Sequence, residues 1–183
     1  MSELELTPDI FTTDYVGQPG DRAFYVQARG SFGVHAYEIE KQQVGALADK
    51  LRELLVMVDA SDTVLKADPA RDPALALETP VEPDWRVGTI GLAYEETSDT
   101  VVVLLQPIES EESSLEDSSL DETTESDEGH RLLLRRDQVR AFVLHATTIV
   151  SEGRPTCQLC GLPIDPEGHR CPASNGQRTT PAG

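Results

Sequence analysis

The sequence has few cysteines, no long apolar run and no concentration of basic residues. All three cysteines lie between positions 157 and 171. The longest apolar runs are short, such as Val101 to Leu105, whereas a membrane-spanning helix needs ~20 apolar residues. The N-terminal residues Met-Ser-Glu-Leu-Glu-Leu lack the basic and apolar regions of a signal peptide. We therefore expect a cytoplasmic protein with no membrane segment, in a compartment where thiols stay reduced.

Acidic residues outnumber basic ones, but they are spread unevenly along the chain. The sequence has 33 Asp and Glu against 15 Lys and Arg, a net charge of −18. Residues 109–129 contain ten of the acids, eight Ser or Thr and no basic residue. Without those ten acids, 23 remain against 15 basic residues, a net charge of −8. Because nucleic acids are bound by clustered Lys and Arg, this balance disfavours a nucleic-acid partner.

The acidic, Ser-rich segment 109–129 is predicted to be a disordered loop between two strands. Its side chains cannot bury enough apolar surface to offset the entropy of ordering the chain. The plainest interpretation is a solvated spacer. Two sharper interpretations are a phosphorylation site for an acid-directed kinase and an electrostatic mimic of nucleic acid.

Hydrophobic periodicity predicts two helices, each preceded by three strands. The first helix is expected over about 41–57 and the second from Arg136, with Gly153 as a candidate stop. Residues 1–8 show no pattern and are expected to be frayed, and the proline-containing stretch 59–84 is expected to wrap around the body. Alternating apolar residues predict strands over 9–16, 22–29, 32–39, 85–94, 100–108 and 130–135.

The two predicted helices carry apolar stripes that match at a constant offset of 95 residues. We therefore predict two βββα-type repeats that form a mainly antiparallel sheet with two helices, an α+β fold. The predicted body is 1–153, and 154–183 is a small C-terminal zinc-knuckle-like segment. The matching residues are Val44, Leu47, Ala48, Leu51, Leu54 and Leu55 against Val139, Phe142, Val143, Ala146, Ile149 and Val150.

The C-terminal segment carries the most specific chemistry of the chain. Its Cys-x2-Cys and His-x-Cys pairs supply thiolates and an imidazole, the ligands that tetrahedral zinc prefers. A site closed by four protein ligands leaves no position for water, so the metal would be structural. The predicted zinc ligands are Cys157, Cys160, His169 and Cys171.

Two other interpretations of the cysteines remain open. The three thiols could be unligated beside an incidental histidine, or Cys157 and Cys160 could form a redox pair. A redox Cys-x-x-Cys normally begins a helix that follows a strand. Gly161 and Pro163 follow this pair instead, which does not favour a helix start.

Three stretches together resemble an actinobacterial family of unknown function, and the resemblance covers nearly the whole chain. It implies a C-terminal zinc-ribbon-like motif and no particular activity. Ala173 and Ser174 stand where the family pattern has a basic residue, which argues against an anion-binding tail. The stretches are 17–22 (Gly-Gln-Pro-Gly-Asp-Arg), 80–88 (Pro-Val-Glu-Pro-Asp-Trp-Arg-Val-Gly) and the tail motif Cys-x-x-Cys-Gly…Gly-His-x-Cys-Pro.

These features favour a non-catalytic protein-interaction or regulatory module with a structural zinc and an unidentified protein partner. No Gly-rich phosphate loop, nucleophile elbow or His-Glu-x-x-His motif is present. His35, His130 and His145 are expected to be structural or surface residues. The alternatives are a nucleic-acid-binding module that uses the repeat sheet and the zinc knuckle, and an enzyme of unrecognised class.

Overall fold

The computed structural model of the protein describes residues 4–108, 129–152, 157–162, 164, 168–174 and 178–179. Most of the predicted disordered loop, 109–129, lies outside these residues. The described elements are β1 (Leu4–Leu6), β2 (Ile10–Gln18), β3 (Asp21–Gly30), β4 (Gly33–Ile39), α1 (Lys41–Val58), β5 (Trp85–Glu95), β6 (Thr100–Pro107), β7 (His130–Arg135), α2 (Arg136–Ser151), β8 (His169–Arg170) and β9 (Arg178–Thr179).

Seven strands form one sheet in the order β1-β7-β6-β5-β4-β3-β2, and β8 pairs with β9 separately. Four of the six contacts in the large sheet are antiparallel, and β1–β7 and β4–β5 are parallel. The predicted α+β class and the mainly antiparallel sheet are therefore confirmed. Within the described residues, no helix combines the length and the apolar character that crossing a membrane requires.

The prediction that residues 1–8 are frayed was wrong for Leu4–Leu6. These residues pair in parallel with the start of β7, with Leu4 opposite His130 and Leu6 opposite Leu132. The side chain of Leu6 is buried in the core. A three-residue strand is too short to show a period, so only the long-range pairing defines it.

The two ends of the seven-stranded sheet are close together in space. β1 and β2 are the outermost strands in the sheet order, yet only residues 7–9 separate them in the chain. The four Cα–Cα steps from Leu6 to Ile10 span at most ~14 Å. The sheet must therefore curl until its two ends meet at this segment.

Both helices bury most of the predicted stripe and begin in the same way. The third residue of each is a glutamine whose Oε1 accepts from the backbone N–H of the residue before the helix, at 3.0 Å for Gln43 and 2.9 Å for Gln138. Such a contact satisfies one donor at a helix start. The Nε2 of Gln43 donates to the carbonyls of Val87 and Gly88, and that of Gln138 donates to those of Pro8 and Asp9.

The chain order of three strands and a helix occurs twice, as predicted, in β2-β3-β4-α1 and β5-β6-β7-α2. The glutamine contacts of the two helices match at the offset of 95, and the repeat itself stays a prediction. Arg52 of α1 donates to the hydroxyl of Thr147 of α2, and these residues also differ by 95 positions. Two residues at the predicted repeat offset thus meet where the two helices pack together.

The connector 59–84 wraps the body as predicted. Both terminal oxygens of the buried Asp14 side chain accept from Arg71 Nη2, at 2.8 and 2.7 Å. The Thr12 hydroxyl donates to the Leu75 carbonyl at 2.5 Å, and Gln27 exchanges two hydrogen bonds with the backbone of Glu78. The connector therefore covers β2 and β3 through specific polar contacts.

A buried histidine at the connector is expected to make stability depend on pH. His145 of α2 accepts from the Asp72 amide through Nδ1 at 3.0 Å, and its Nε2 lies 4.0 Å from Asp14 Oδ2. Burial lowers the pKa of His145, although Asp14 raises it and Arg71 lowers it. The unfolded chain therefore takes up this proton first, and stability should fall as pH drops below about 6.5.

The replacement His145→Gln is expected to flatten this pH dependence, because glutamine offers an acceptor that does not titrate. Thermal unfolding of wild type and variant between about pH 7.5 and pH 5 measures the difference. Met57→Ala, changed at a side chain that is 84% exposed on α1, is the control and should keep the wild-type pH dependence. If the melting temperatures of wild type and His145→Gln changed equally with pH, His145 would not be the source of the pH dependence.

Candidate metal centre

The first half of the centre is a tight turn that holds Cys157 and Cys160. The N–H of Gly161 donates to the Cys157 carbonyl, and the N–H of Cys157 donates to the Leu162 carbonyl, both at 2.8 Å. Gly161 has φ +73°, a conformation that residues with a Cβ rarely adopt. The turn therefore returns the chain on itself and presents two sulfurs from one short segment.

The second half is the β8–β9 hairpin and the residue that follows β8. His169 pairs with Thr179 across this hairpin, and Cys171 comes directly after β8. Gly168, which precedes the histidine, has φ +86°. The short strand β8 thus places the imidazole of His169 and the sulfur of Cys171 near each other.

The four candidate ligand atoms are close enough together to share one metal ion. They all lie within 4.8 Å of one another. Cys157 Sγ is 3.7 Å from Cys171 Sγ, and Cys160 Sγ is 3.8 Å from His169 Nε2. With zinc–sulfur bonds of about 2.3 Å, tetrahedral geometry puts two sulfurs about 3.8 Å apart and sulfur and nitrogen about 3.5 Å apart. The residues present therefore fit a zinc ion.

The electrostatics of the turn favour the ligand form of one cysteine. Backbone amides of Cys160 and Leu159 lower the pKa of the Cys157 thiol to about 6. The Leu162 amide lowers the pKa of Cys160, but desolvation and the Cys171 and Cys157 sulfurs raise it above the ordinary value. Crowded sulfurs resist carrying several negative charges, and a bound cation removes that repulsion.

The centre has only a very small apolar cluster of its own. Cys157, Cys171 and Ile164 are buried, and Cys160 packs against them. None of these residues belongs to the large core under the two helices. A cluster of this size cannot offset the entropy of ordering the segment, so a metal is the expected source of its stability.

The geometry does not favour the redox interpretation. Residues 158–160 form a turn, whereas a redox Cys-x-x-Cys stands at a helix start. The arrangement can hold a cation with four protein ligands, which leaves no position for a reacting water.

A second polar cluster was not foreseen from the sequence. The rings of His35 and His130, 95 positions apart, have centroids 4.9 Å apart. The hydroxyl of the buried Tyr37 lies 2.7 Å from His130 Nδ1, and Asp84 Oδ2 lies 3.1 Å from His35 Nδ1. The offset of 95 residues between the two helical stripes was the one signal in the sequence that links the two histidines.

Burial and the neighbouring His35 lower the pKa of His130, and burial raises the pKa of Tyr37. The expectation of structural or surface roles for His35 and His130 is consistent with this environment. Within the described part of the chain, the Cys/His group in the tail is the one set of three or more potential ligands close enough to share a metal.

One known protein family matches this chain over both the body and the Cys/His centre. The model of a family described as "Protein of unknown function (DUF3090)" matches residues 6–171. No curated protein and no solved structure matches. The matched region contains all four ligand residues and ends at the last of them, Cys171. The chain therefore belongs to the DUF3090 family, whose function is unknown.

Proposed function

We propose that this chain is a non-catalytic protein-interaction or regulatory module in which a structural zinc holds the C-terminal segment folded. The observation that carries the proposal is the closed set of four ligand atoms within 4.8 Å of one another. Cys157, Cys160, His169 and Cys171 are the proposed ligands. The proposed division is a body of 1–153 and a zinc segment of 154–183.

The surface beside the proposed zinc supports contact with another protein. Leu159 and Leu162 flank Cys160, and their exposed fractions are 63% and 50%. Exposed leucines on a rigid, metal-held turn offer apolar area with little entropy to lose on binding. The charge balance of the chain supports a protein partner rather than a nucleic acid.

Cobalt substitution tests whether the proposed site is closed. Co²⁺ replaces Zn²⁺ in tetrahedral thiolate sites and gives visible absorption that reports the ligands. We expect a tetrahedral spectrum with sulfur charge-transfer bands, which added azide or cyanide leaves unchanged, because no position is open. The variant Gln158→Ala, changed at an exposed side chain in the same turn, is the control and should give the same spectrum.

A spectrum that shifts when azide is added would contradict the proposal. It would mean that an exchangeable ligand completes the site, as in catalytic metal centres, and it would favour the enzyme interpretation. An octahedral spectrum without sulfur bands would remove the thiolate ligands from the site.

A further inference from the structure

A mostly apolar groove of about 270 Å³ separates helix α1 from strand β5. Ala46 and Leu47 line its helix side, and Ile90 and Leu92 line its strand side. Lys50 stands at the rim, with a side chain 66% exposed. Ile90 and Leu92 are both partly exposed, so apolar area in this groove faces solvent.

The strand that forms one wall of the groove has an uncovered edge. β5 pairs with β6 from Val87 to Glu95, with a register shift between Val87 and Thr89, but it pairs with β4 only at Trp85 and Arg86. From Gly88 to Glu95, no strand in the described part of the chain pairs with its other edge. Unpaired edges are ready to accept an additional strand unless the protein covers them.

The corresponding place in the other half of the molecule is filled. At the helix offset of 95, Leu47 corresponds to Phe142, which stacks on Phe11 of β2 at a centroid distance of 4.5 Å. Lys50 corresponds to His145, which accepts a hydrogen bond from the backbone of the connector at Asp72. Between α2 and β2, two phenyl rings and the connector thus fill the place. Between α1 and β5, the corresponding place is an open groove.

The filled half indicates what the open half can bind. The segment that covers the filled half is the connector 59–84 of the same chain. Its Leu75 carbonyl accepts a hydrogen bond from the Thr12 hydroxyl of β2. Leu75 itself is buried, with an exposed fraction of 9%. The structure therefore already contains an example in which a backbone segment with an apolar anchor covers one of these two places.

We propose that the edge of β5 and the groove beside α1 bind an extended peptide segment of a partner protein. The peptide pairs its backbone with Thr89–Glu95 and inserts an apolar side chain between Leu47 and Ile90. A carbonyl or carboxylate of the peptide meets Lys50 at the rim. This inference rests on the proposed interaction role and specifies the kind of segment that the partner presents. It does not involve the zinc.

The experiment selects peptides with the full-length, metal-loaded protein from a phage-displayed library of random peptides. The variant Ala46→Trp fills the groove from an exposed helix position, and Gln42→Trp adds the same side chain at an exposed position outside it. We expect selected sequences to share an apolar anchor. They should bind wild type and Gln42→Trp equally and Ala46→Trp at least ~10-fold more weakly, a loss of ~1.4 kcal/mol.

Hydrogen exchange locates the bound peptide, and it should slow exchange in β5 and not in β2. Leu92→Lys, which puts a charge into the groove, is a second variant in case Ala46→Trp does not fold. Equal binding by wild type and Ala46→Trp, or no enrichment of any peptide, would overturn the proposal. Dimerisation of the protein with β5 protected would also overturn it, since a second copy would then occupy the edge.

Metal content distinguishes this inference from the proposed function. Ala46→Trp and Leu92→Lys should retain the same metal as wild type. If these variants lose peptide binding while their metal content is unchanged, the loss is due to the groove and not to the zinc site. A protein that holds no metal but still binds peptides would refute the zinc site and leave the groove in place.

Discussion

Replacement of Cys171 by serine is expected to release the metal and to unfold the segment around it, while the body stays folded. Cys171 is fully buried at the centre of the small cluster. A serine hydroxyl remains protonated near neutral pH and is a poor zinc ligand. Apparent binding energies of structural zinc are about 10–16 kcal/mol, so a site with three ligands loses a large part of its affinity.

Two measurements check the Cys171→Ser prediction. The zinc content should fall from one per chain to below ~0.1, and the hydrogen-bonded amides of Cys157 and Gly161 should lose their protection against hydrogen exchange. Protection in the seven-stranded sheet should remain. Gln158→Ala should keep both the metal and the protection. A Cys171→Ser protein that retains a full equivalent of zinc would show that this sulfur is not a ligand.

The second large effect is expected in the core, where Phe142→Ala should destabilise the body by about 3–5 kcal/mol. Phe142 is fully buried and stacks on Phe11 with an interplanar angle of 23°. The replacement removes the transfer energy of the ring and leaves a cavity between α2 and β2. Such a loss is a large part of the total stability of a domain this size.

Urea unfolding followed by circular dichroism measures this loss. Met57, whose side chain is 84% exposed at the end of α1, is the matched control, and Met57→Ala should change stability by less than ~0.5 kcal/mol. A Phe142→Ala cost below about 1 kcal/mol would contradict the packing of α2 on β2. Zinc content should be unchanged in both variants, because the body and the metal centre have separate apolar clusters.

The helices were predictable because burial of one helix face imposes a period on the sequence. The stripe from Val44 to Leu55 is buried, apart from the partly buried Leu54, and the helix begins at Lys41, where the sequence placed it. The second helix begins at Arg136, again as expected. In both cases neighbouring residues carry the information, so no distant contact is needed to predict the element.

The parts that could not be predicted depend on contacts between distant residues. The pairing of β1 with β7 joins Leu4 to His130, and nothing in three residues specifies such a partner. The meeting of His35 with His130 joins residues that are 95 positions apart, and periodicity does not encode such a contact. The Cys/His group, in contrast, lies within fifteen residues, so its spacing alone indicated which residues would converge.

The tail of this chain is proposed to be a closed structural zinc site. The most direct test is elemental mass spectrometry, with a thiol count, on protein purified without a His-tag. We expect one zinc per chain and three thiols that become reactive only after a chelator removes the metal. A protein without metal that contains a disulfide between Cys157 and Cys160 would contradict the claim and would favour a redox role for this pair.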